Sequence, residues 1–514
     1  MFYSVLFPDE ESAKRPRNTQ PLDCFRDMNL DQITRRVLQE KQAFGLEEYF
    51  YTPLTDIRTV RYRQEVMREL EDREKRSAFE GVLGQIVFMR GIIDEVRPKL
   101  LNGDQLNTDY LEMGRFLDTA LTYLSTVTAM NGLLEGMTLH SEGLKRFRDY
   151  LREYVASEKI RQMTAWRDRI QENLKKIRFC MTIKTDSIRV TPYNGQADYA
   201  ERVAELFSRF RQGDVRSYRW NIEERPQSEK IENEILRMAA KLYPKEFQDL
   251  SDFVTTYIRF DDDTVLDFVR DIQFYFGWLD MTDALREKGL PFCYPELREG
   301  TEAVEVYDCF DLALAIRSDK AVVTNDFRLA APEQILVVSG PNQDGKSTFA
   351  RSFGQAFYLS ALGVCVPGRE AGIFLADSIL THFEREEDLT NLNSKLEDEL
   401  LRLKDMMDQV TKRSVMVINE IFASTTLKDA LALGAKMLDG IIRKCGPALV
   451  VTFMEELSEY GPETVSMVTS VSEDEKRKRT YKIVRKKADG LAYALEVAGR
   501  HGLTYEKLKR RIGG

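Results

Sequence analysis

Apolar residues recur at helical spacing through most of the first half of the chain. The clearest segments are Gln32–Phe44, Val60–Glu71, Gly81–Arg97, Tyr110–Glu135 and Ser141–Leu174, rich in Leu, Glu, Arg and Gln. The last two are long enough to act as levers or to pair in the manner of a coiled coil. Ahead of them, residues 1–20 read as a short strand and a polar leader. At about residue 177 the period changes from helical to alternating. Ile177 to Pro192 reads as two short strands around a Thr185-Asp186-Ser187 turn. A looser segment runs to Arg225, and helical patterns resume from 228 to 288, so the β segment is expected as an insertion in a helical domain. From about residue 300, short apolar runs alternate with helical stretches, the pattern of a mostly parallel sheet with crossover helices.

The pattern predicts a multidomain protein. A leader (1–27) precedes an all-α core and lever (28–176), a small β insertion (177–225), a second helical part (226–300) and an α/β domain (301–514). Length agrees, since 514 residues exceed what one hydrophobic core serves. Composition is that of a soluble globular protein, 43% hydrophobic and 31% charged. No stretch approaches the roughly 20 apolar residues that span a bilayer. The start of the chain runs straight into Asp9, Glu10 and Glu11, so no secretory signal is expected. Cys24, Cys180, Cys293, Cys309, Cys365 and Cys445 form no C-x-x-C pair, which argues against a disulfide framework or zinc site and fits a reducing cytoplasm. His140, His382 and His501 lie too far apart in sequence to suggest a histidine-rich metal site. The net charge of −9 excludes a globally basic nucleic-acid binder, so any such contact must rest on local patches.

One segment carries specific chemistry. Ile335–Ser339 is an apolar strand-like run, followed by Gly340-Pro341-Asn342-Gln343-Asp344-Gly345-Lys346-Ser347-Thr348 and a helical pattern from Phe349 to Leu362. This is G-x-x-x-x-G-K-[ST] between a strand and a helix. Such a loop turns its backbone N–H groups inward as an anion nest, and the helix N-terminus adds its positive end. Lys346 is expected to reach the β- and γ-phosphates of ATP, and Ser347 to offer its hydroxyl to Mg²⁺. A second apolar run, Ser414–Ile418, ends in Asn419 and Glu420. Strand ends of this kind hold Mg²⁺ through water and orient an attacking water. Asn419 fits the first role without a charge, and Glu420 fits the second.

These motifs resemble the ATPase domain of the MutS family of DNA mismatch-repair proteins. The resemblance rests on Gly340–Thr348, Val323-Thr-Asn325-Asp326, Asn419-Glu-Ile-Phe-Ala-Ser-Thr-Thr426, Asp489–Ala498 and Gly502-Leu-Thr. In the helical half, Asn29–Ile33 and Tyr51–Val60 resemble the MutS core domain. The resemblance implies an ABC-type ATPase domain working as a two-subunit sandwich, hence a homodimer. In that arrangement Ser394, in Asn393-Ser394-Lys-Leu-Glu397, would contact the partner subunit's γ-phosphate. Read locally, Ser394 with Glu397 is a capping box.

Four departures stand out. The expectation is that no N-terminal mismatch reader precedes the core and that no nuclease-like domain follows the ATPase segment. Asp344 replaces a glycine and sets negative charge beside the phosphates. Phe453 stands where the family has a histidine. Val322 falls near the aromatic that stacks on adenine. Together, Asp344, Asn419 and Phe453 imply a slow ATPase.

For DNA, the span from 175 to 219 holds ten basic residues against five acidic ones, interleaved with Tyr193, Tyr199, Tyr218 and Trp220. Arginine with aromatics suits phosphate contact and base stacking. The candidates are Lys184, Arg189, Arg209, Arg211, Arg216 and Arg219. A solvated amphipathic region around a small core fits the same composition. The reading from sequence is therefore a cytoplasmic, MutS-like, ATP- and Mg²⁺-dependent homodimer that grips structured or branched DNA. An ATP-gated scaffold that recruits a protein partner without touching DNA is the alternative.

Overall fold

A computed structural model describes residues 2–102, 105–106, 109–184, 187–196, 226–301, 303–341, 344–384, 395–422, 424–471, 479–487, 505, 509 and 511. The chain forms two compact units, one of residues 1–72, 140–144 and 270–514, the other of 73–139 and 145–269.

The first unit is built on six strands, three of which are almost wholly apolar in sequence. The six are β1 (Ile335–Ser339), β2 (Ile379–Phe383), β3 (Val415–Asn419), β4 (Ala448–Val451), β5 (Thr464–Val471) and β6 (Arg479–Arg485). Their order across the sheet is β2-β3-β4-β1-β5-β6. The first five run parallel and β6 returns antiparallel to β5. Residues 335–338, 415–418 and 448–451 are buried without alternation, as expected of strands covered on both faces. On one face the helices Lys395–Gln409 and Leu427–Lys444 bring Leu403, Met406, Leu438 and Ile441 onto Ile335, Val337, Met416 and Ile418. The helix Lys346–Leu362 is buried along almost its whole length, Ser352, Gln355 and Ser360 included.

A second sheet was not anticipated. Glu296–Arg298, Glu370–Phe374, Ala303–Cys309 and Asn325–Ala330 form four strands, mixed in direction rather than mostly parallel. Ala303–Cys309 and Asn325–Ala330 alternate between buried and more open residues, the signature of half-covered antiparallel strands.

The N-terminal residues also differ from expectation. Val5, Leu6 and Phe7 are buried, but residues 2–7 form no strand. Their carbonyls are met by side chains instead of a ladder. Tyr62 Oη donates to Ser4 O at 2.6 Å, Tyr275 Oη to Val5 O at 2.6 Å and Arg63 Nε to Leu6 O at 3.1 Å. Arg63 is fully buried between the rings of Phe7 and Phe274, and its second donor reaches Leu362 O at 3.0 Å. The leader is thus part of the first unit's core.

The second unit is helical. Arg73–Leu100 and Tyr110–Gly136 are its longest helices lying wholly within it. The continuous helix expected over 141–174 is two helices, Glu142–Val155 and Glu158–Lys176, because Ser157 leaves helical geometry and caps the second through Ile160 N–H. The 228–288 pattern resolves into Pro226–Leu242, Pro244–Tyr257 and Asp263–Glu287. Pro244 explains the first break, since it lacks the N–H that would continue a helix. Phe147 stacks on Phe268 with centroids 3.5 Å apart, and Phe116 and Tyr123 meet Phe260 edge-on. The two units divide at 72/73, 139/140, 144/145 and 269/270, so residues 28–72 cluster with the first unit. The reason is packing: Val37, Phe50 and Val60 sit in the first unit's core with the α/β elements.

Replacing Arg63 by methionine should strip donors from the Leu6 and Leu362 carbonyls. The expected loss is about 2–4 kcal/mol in urea unfolding of the full chain.

Candidate nucleotide site

The site lies where parallel strands end. Register sets Val338 of β1 beside Val451 of β4, and Val451 beside Asn419 of β3. The crevice beyond the carboxyl ends of such strands is where open α/β sheets bind ligands. β1 leads into Gly340, whose φ of 138° and whose approach to Thr469 admit only glycine. A Cβ there would lie 2.5 Å from Thr469 Oγ1. The loop closes at Gly345, left-handed at φ 91°, which is the N-cap of the helix starting at Lys346. Asn342 and Gln343 lie outside the described residues; Gly340, Pro341, Asp344, Gly345, Lys346, Ser347 and Thr348 are described. The first N–H groups of an α-helix have no intrahelical partner, and such an end suits a phosphate.

Lys346 is nearly buried. Its ammonium donates to Gly340 O and Pro341 O, both at 2.8 Å, so it bridges the mouth of its own loop. Burial lowers its pKa, while Glu420 and Asp344 hold it up. Glu420 Oε1 stands 4.0 Å away. Glu420 itself is left-handed at φ 56°, with its N–H donating to Val451 O at 3.0 Å. Beside it, Asn419 Oδ1 is buried and has no hydrogen-bond partner among the described residues, and the same is true of Ser339 Oγ. An orphaned acceptor at a strand end, across from the Ser347 hydroxyl's helix, fits a water of a hydrated Mg²⁺.

Sequence reasoning did not single out three residues that shape this site. Tyr481 is left-handed at φ 56°, and its ring lies 3.6 Å from where a Cβ on Gly345 would sit. Asn325 holds the strand around it, donating to Tyr481 O at 3.2 Å and accepting from Ile483 N–H at 2.7 Å. Glu399 accepts from Phe422 N–H at 3.1 Å. Asn325 belongs to a quoted motif, but its partners come from β6, 156 and 158 positions away, a separation no local pattern reveals.

The family model for MutS domain V matches residues 336–510. Residues 336–510 of this chain thus match a MutS domain V. It is 29% identical over 225 residues to the DNA mismatch repair protein MutS of Chlorobaculum parvum, a stretch covering 43% of this chain and 26% of that protein. With the Endonuclease MutS2 of Thermus thermophilus it shares 28% identity over 190 residues, 37% of this chain and 25% of that protein. The chain thus spans about a quarter of the length of these curated relatives.

Within the MutS domain V, the remaining expected positions are distributed as follows. Ser394 lies outside the described residues; the helix that follows it starts at Lys395. Phe453 is 51% exposed, directly after the buried Thr452, whose N–H donates to Val338 O at 3.0 Å. All six cysteines are free, and no described helix is long and apolar enough to cross a membrane.

In the helical unit, Phe179–Lys184 and Ser187–Pro192 pair as an antiparallel hairpin. Arg189 is opposite Thr182, and Lys184 opposite Ser187, so both cations share one face. Both are exposed. Met181 and Ile183, on the other face, are 46% and 67% exposed. Arg209, Arg211, Arg216 and Arg219 lie outside the described residues.

Asp344 is 7% exposed and acts electrostatically on Lys346. Asp344→Gly removes a negative charge beside the phosphate nest, so it should tighten nucleotide binding by roughly tenfold, on the order of 1–2 kcal/mol. Titration with a fluorescent nucleotide checks this, and unchanged or weaker binding would count against the electrostatic account.

Proposed function

We propose that the chain is a MutS-like ATPase, homodimeric and cytoplasmic, that couples its nucleotide state to gripping structured or branched DNA. One observation carries this reading: a glycine-bounded loop, Lys346, Asn419 and Glu420 converge at the ends of adjacent parallel strands. Gly340–Thr348 cradle the phosphates of ATP through backbone N–H groups. Lys346 leaves the Gly340 and Pro341 carbonyls for the terminal phosphates. Ser347 and Asn419 are the residues that would hold Mg²⁺, which when bound would supply charge neutralisation at the phosphates. Glu420 orients the attacking water, and Ser394 completes the pocket of a second copy.

Hydrolysis is slow in this account. The strand-end residue is neutral Asn419, Asp344 repels the incoming phosphates, and Phe453 cannot accept or donate a proton as histidine does. The bound state therefore does most of the work. The exposed face carrying Lys184 and Arg189 supports DNA contact, with Arg209, Arg211, Arg216 and Arg219 as further candidates.

Light scattering and branched-DNA titrations with ATP, with ADP and for Glu420→Ala test the coupling. ATP should raise the mass to that of a dimer and shift DNA affinity at least about tenfold, and Glu420→Ala should trap the ATP-bound form. Log affinity should fall steeply with log salt. A flat salt dependence, or no DNA binding at low salt, would favour the protein-recruiting scaffold. If ATP alters neither mass nor affinity, coupling is wrong.

A further inference from the structure

The chain leaving Glu420 is held in a shape that most residues avoid. Glu420 at φ 56° and Phe422 at φ 58° are both left-handed, two non-glycine residues within three positions. Each costs on the order of 1–2 kcal/mol and persists only where its surroundings over-determine it. Three points pin the segment. Glu420 N–H donates to Val451 O at 3.0 Å. Ile421 and Phe422 are buried in the core below the sheet. Phe422 N–H donates to Glu399 Oε2 at 3.1 Å.

The third pin differs from the others because it comes from a different helix, Lys395–Gln409, and is a carboxylate. Glu399 is 7% exposed. Burial raises its pKa, and the Phe422 N–H opposes that rise, as do Lys395 and Arg402, while Glu384 adds to it. Charge-assisted bonds of this kind are about twice as strong as neutral ones. Without this bond the Phe422 amide would be buried with no acceptor, and the strained pair could relax. Such relaxation would swing the Glu420 carboxylate away from its place 4.0 Å from Lys346.

We propose that Glu399 is a positioning residue for Glu420: it fixes the direction of the water-orienting carboxylate by holding the backbone two residues downstream. The proposal rests on the reading of Glu420 given above. A purely structural Glu399 would affect stability, or binding and turnover together. A positioning residue affects turnover alone.

The test uses the full chain with Glu399→Ala, Glu399→Gln and, as a separate control, Glu420→Gln. Turnover of MgATP, nucleotide affinity and the denaturation midpoint are measured for each. Glu399→Ala should lower kcat at least about tenfold, with nucleotide Kd within about twofold of the parent. Glu399→Gln keeps a neutral acceptor for the Phe422 N–H, so it should recover most of the loss and sit about threefold below the parent. Glu399→Ala in a Glu420→Gln background should add little, because the group it positions is already gone. If Glu399→Ala does not fold, Glu399→Gln decides: an unchanged kcat overturns the proposal. So does a glutamine variant no faster than the alanine one, or a loss that falls on KM and Kd. Failure of the underlying reading looks different: in that case Glu420→Gln itself leaves turnover unchanged.

Discussion

The register joining β1, β4 and β3 is the constraint on which the site depends. It puts Val338, Val451 and Asn419 at one level, so the Gly340–Thr348 loop and the Asn419-Glu420 pair leave the sheet together. The three strands are buried on both faces, and sliding one past another would break ladders that no water can replace. The backbone also extends this level beyond the strands. Thr452 N–H continues the bonding to Val338 O, and Glu420 N–H continues it to Val451 O. The site residues are therefore placed by main-chain bonds, which leave the identity of their side chains free.

That freedom explains how unusual residues are accommodated. Lys346 is buried with two carbonyls as partners and carboxylates within electrostatic reach, so its charge is compensated inside the protein. A buried ammonium without such partners would lose its proton. The carbonyls and Glu420 thus hold the ammonium at the mouth of its loop. Strain is concentrated close by, in Glu420, Phe422 and Tyr481. Strained backbone gathered around one crevice, within an otherwise relaxed sheet, is a common property of working sites.

Much of this architecture could be read from the residues, and the reasons are local. The strand, loop and helix spanning Ile335 to Leu362 declare themselves because a doubly covered strand is continuously apolar and because two glycines bound the turn. The hairpin at Phe179–Pro192 is visible because its period is two. What was not legible depends on distant partners. Val5–Phe7 look like a strand in isolation, but Tyr62, Arg63 and Tyr275 take their carbonyls. Ser157 breaks a helix that periodicity alone would continue. The second sheet escaped notice because short, half-covered strands carry little signal, and Glu399 reads as one more charge on a polar helix until Phe422 is placed beside it.

The buried Arg63 has a consequence for how the protein is made. Its acceptor at Leu362 lies 299 residues downstream. The Asp27 and Met28 carbonyls wait still longer, for Arg351 and Gln355, 324 and 327 positions on. At ribosomal speeds of about 5–20 residues per second, these partners emerge roughly 15–60 s apart. The residues of the helical unit emerge within that interval. The first unit therefore completes its core across its own insertion, and not in the order in which its residues are made.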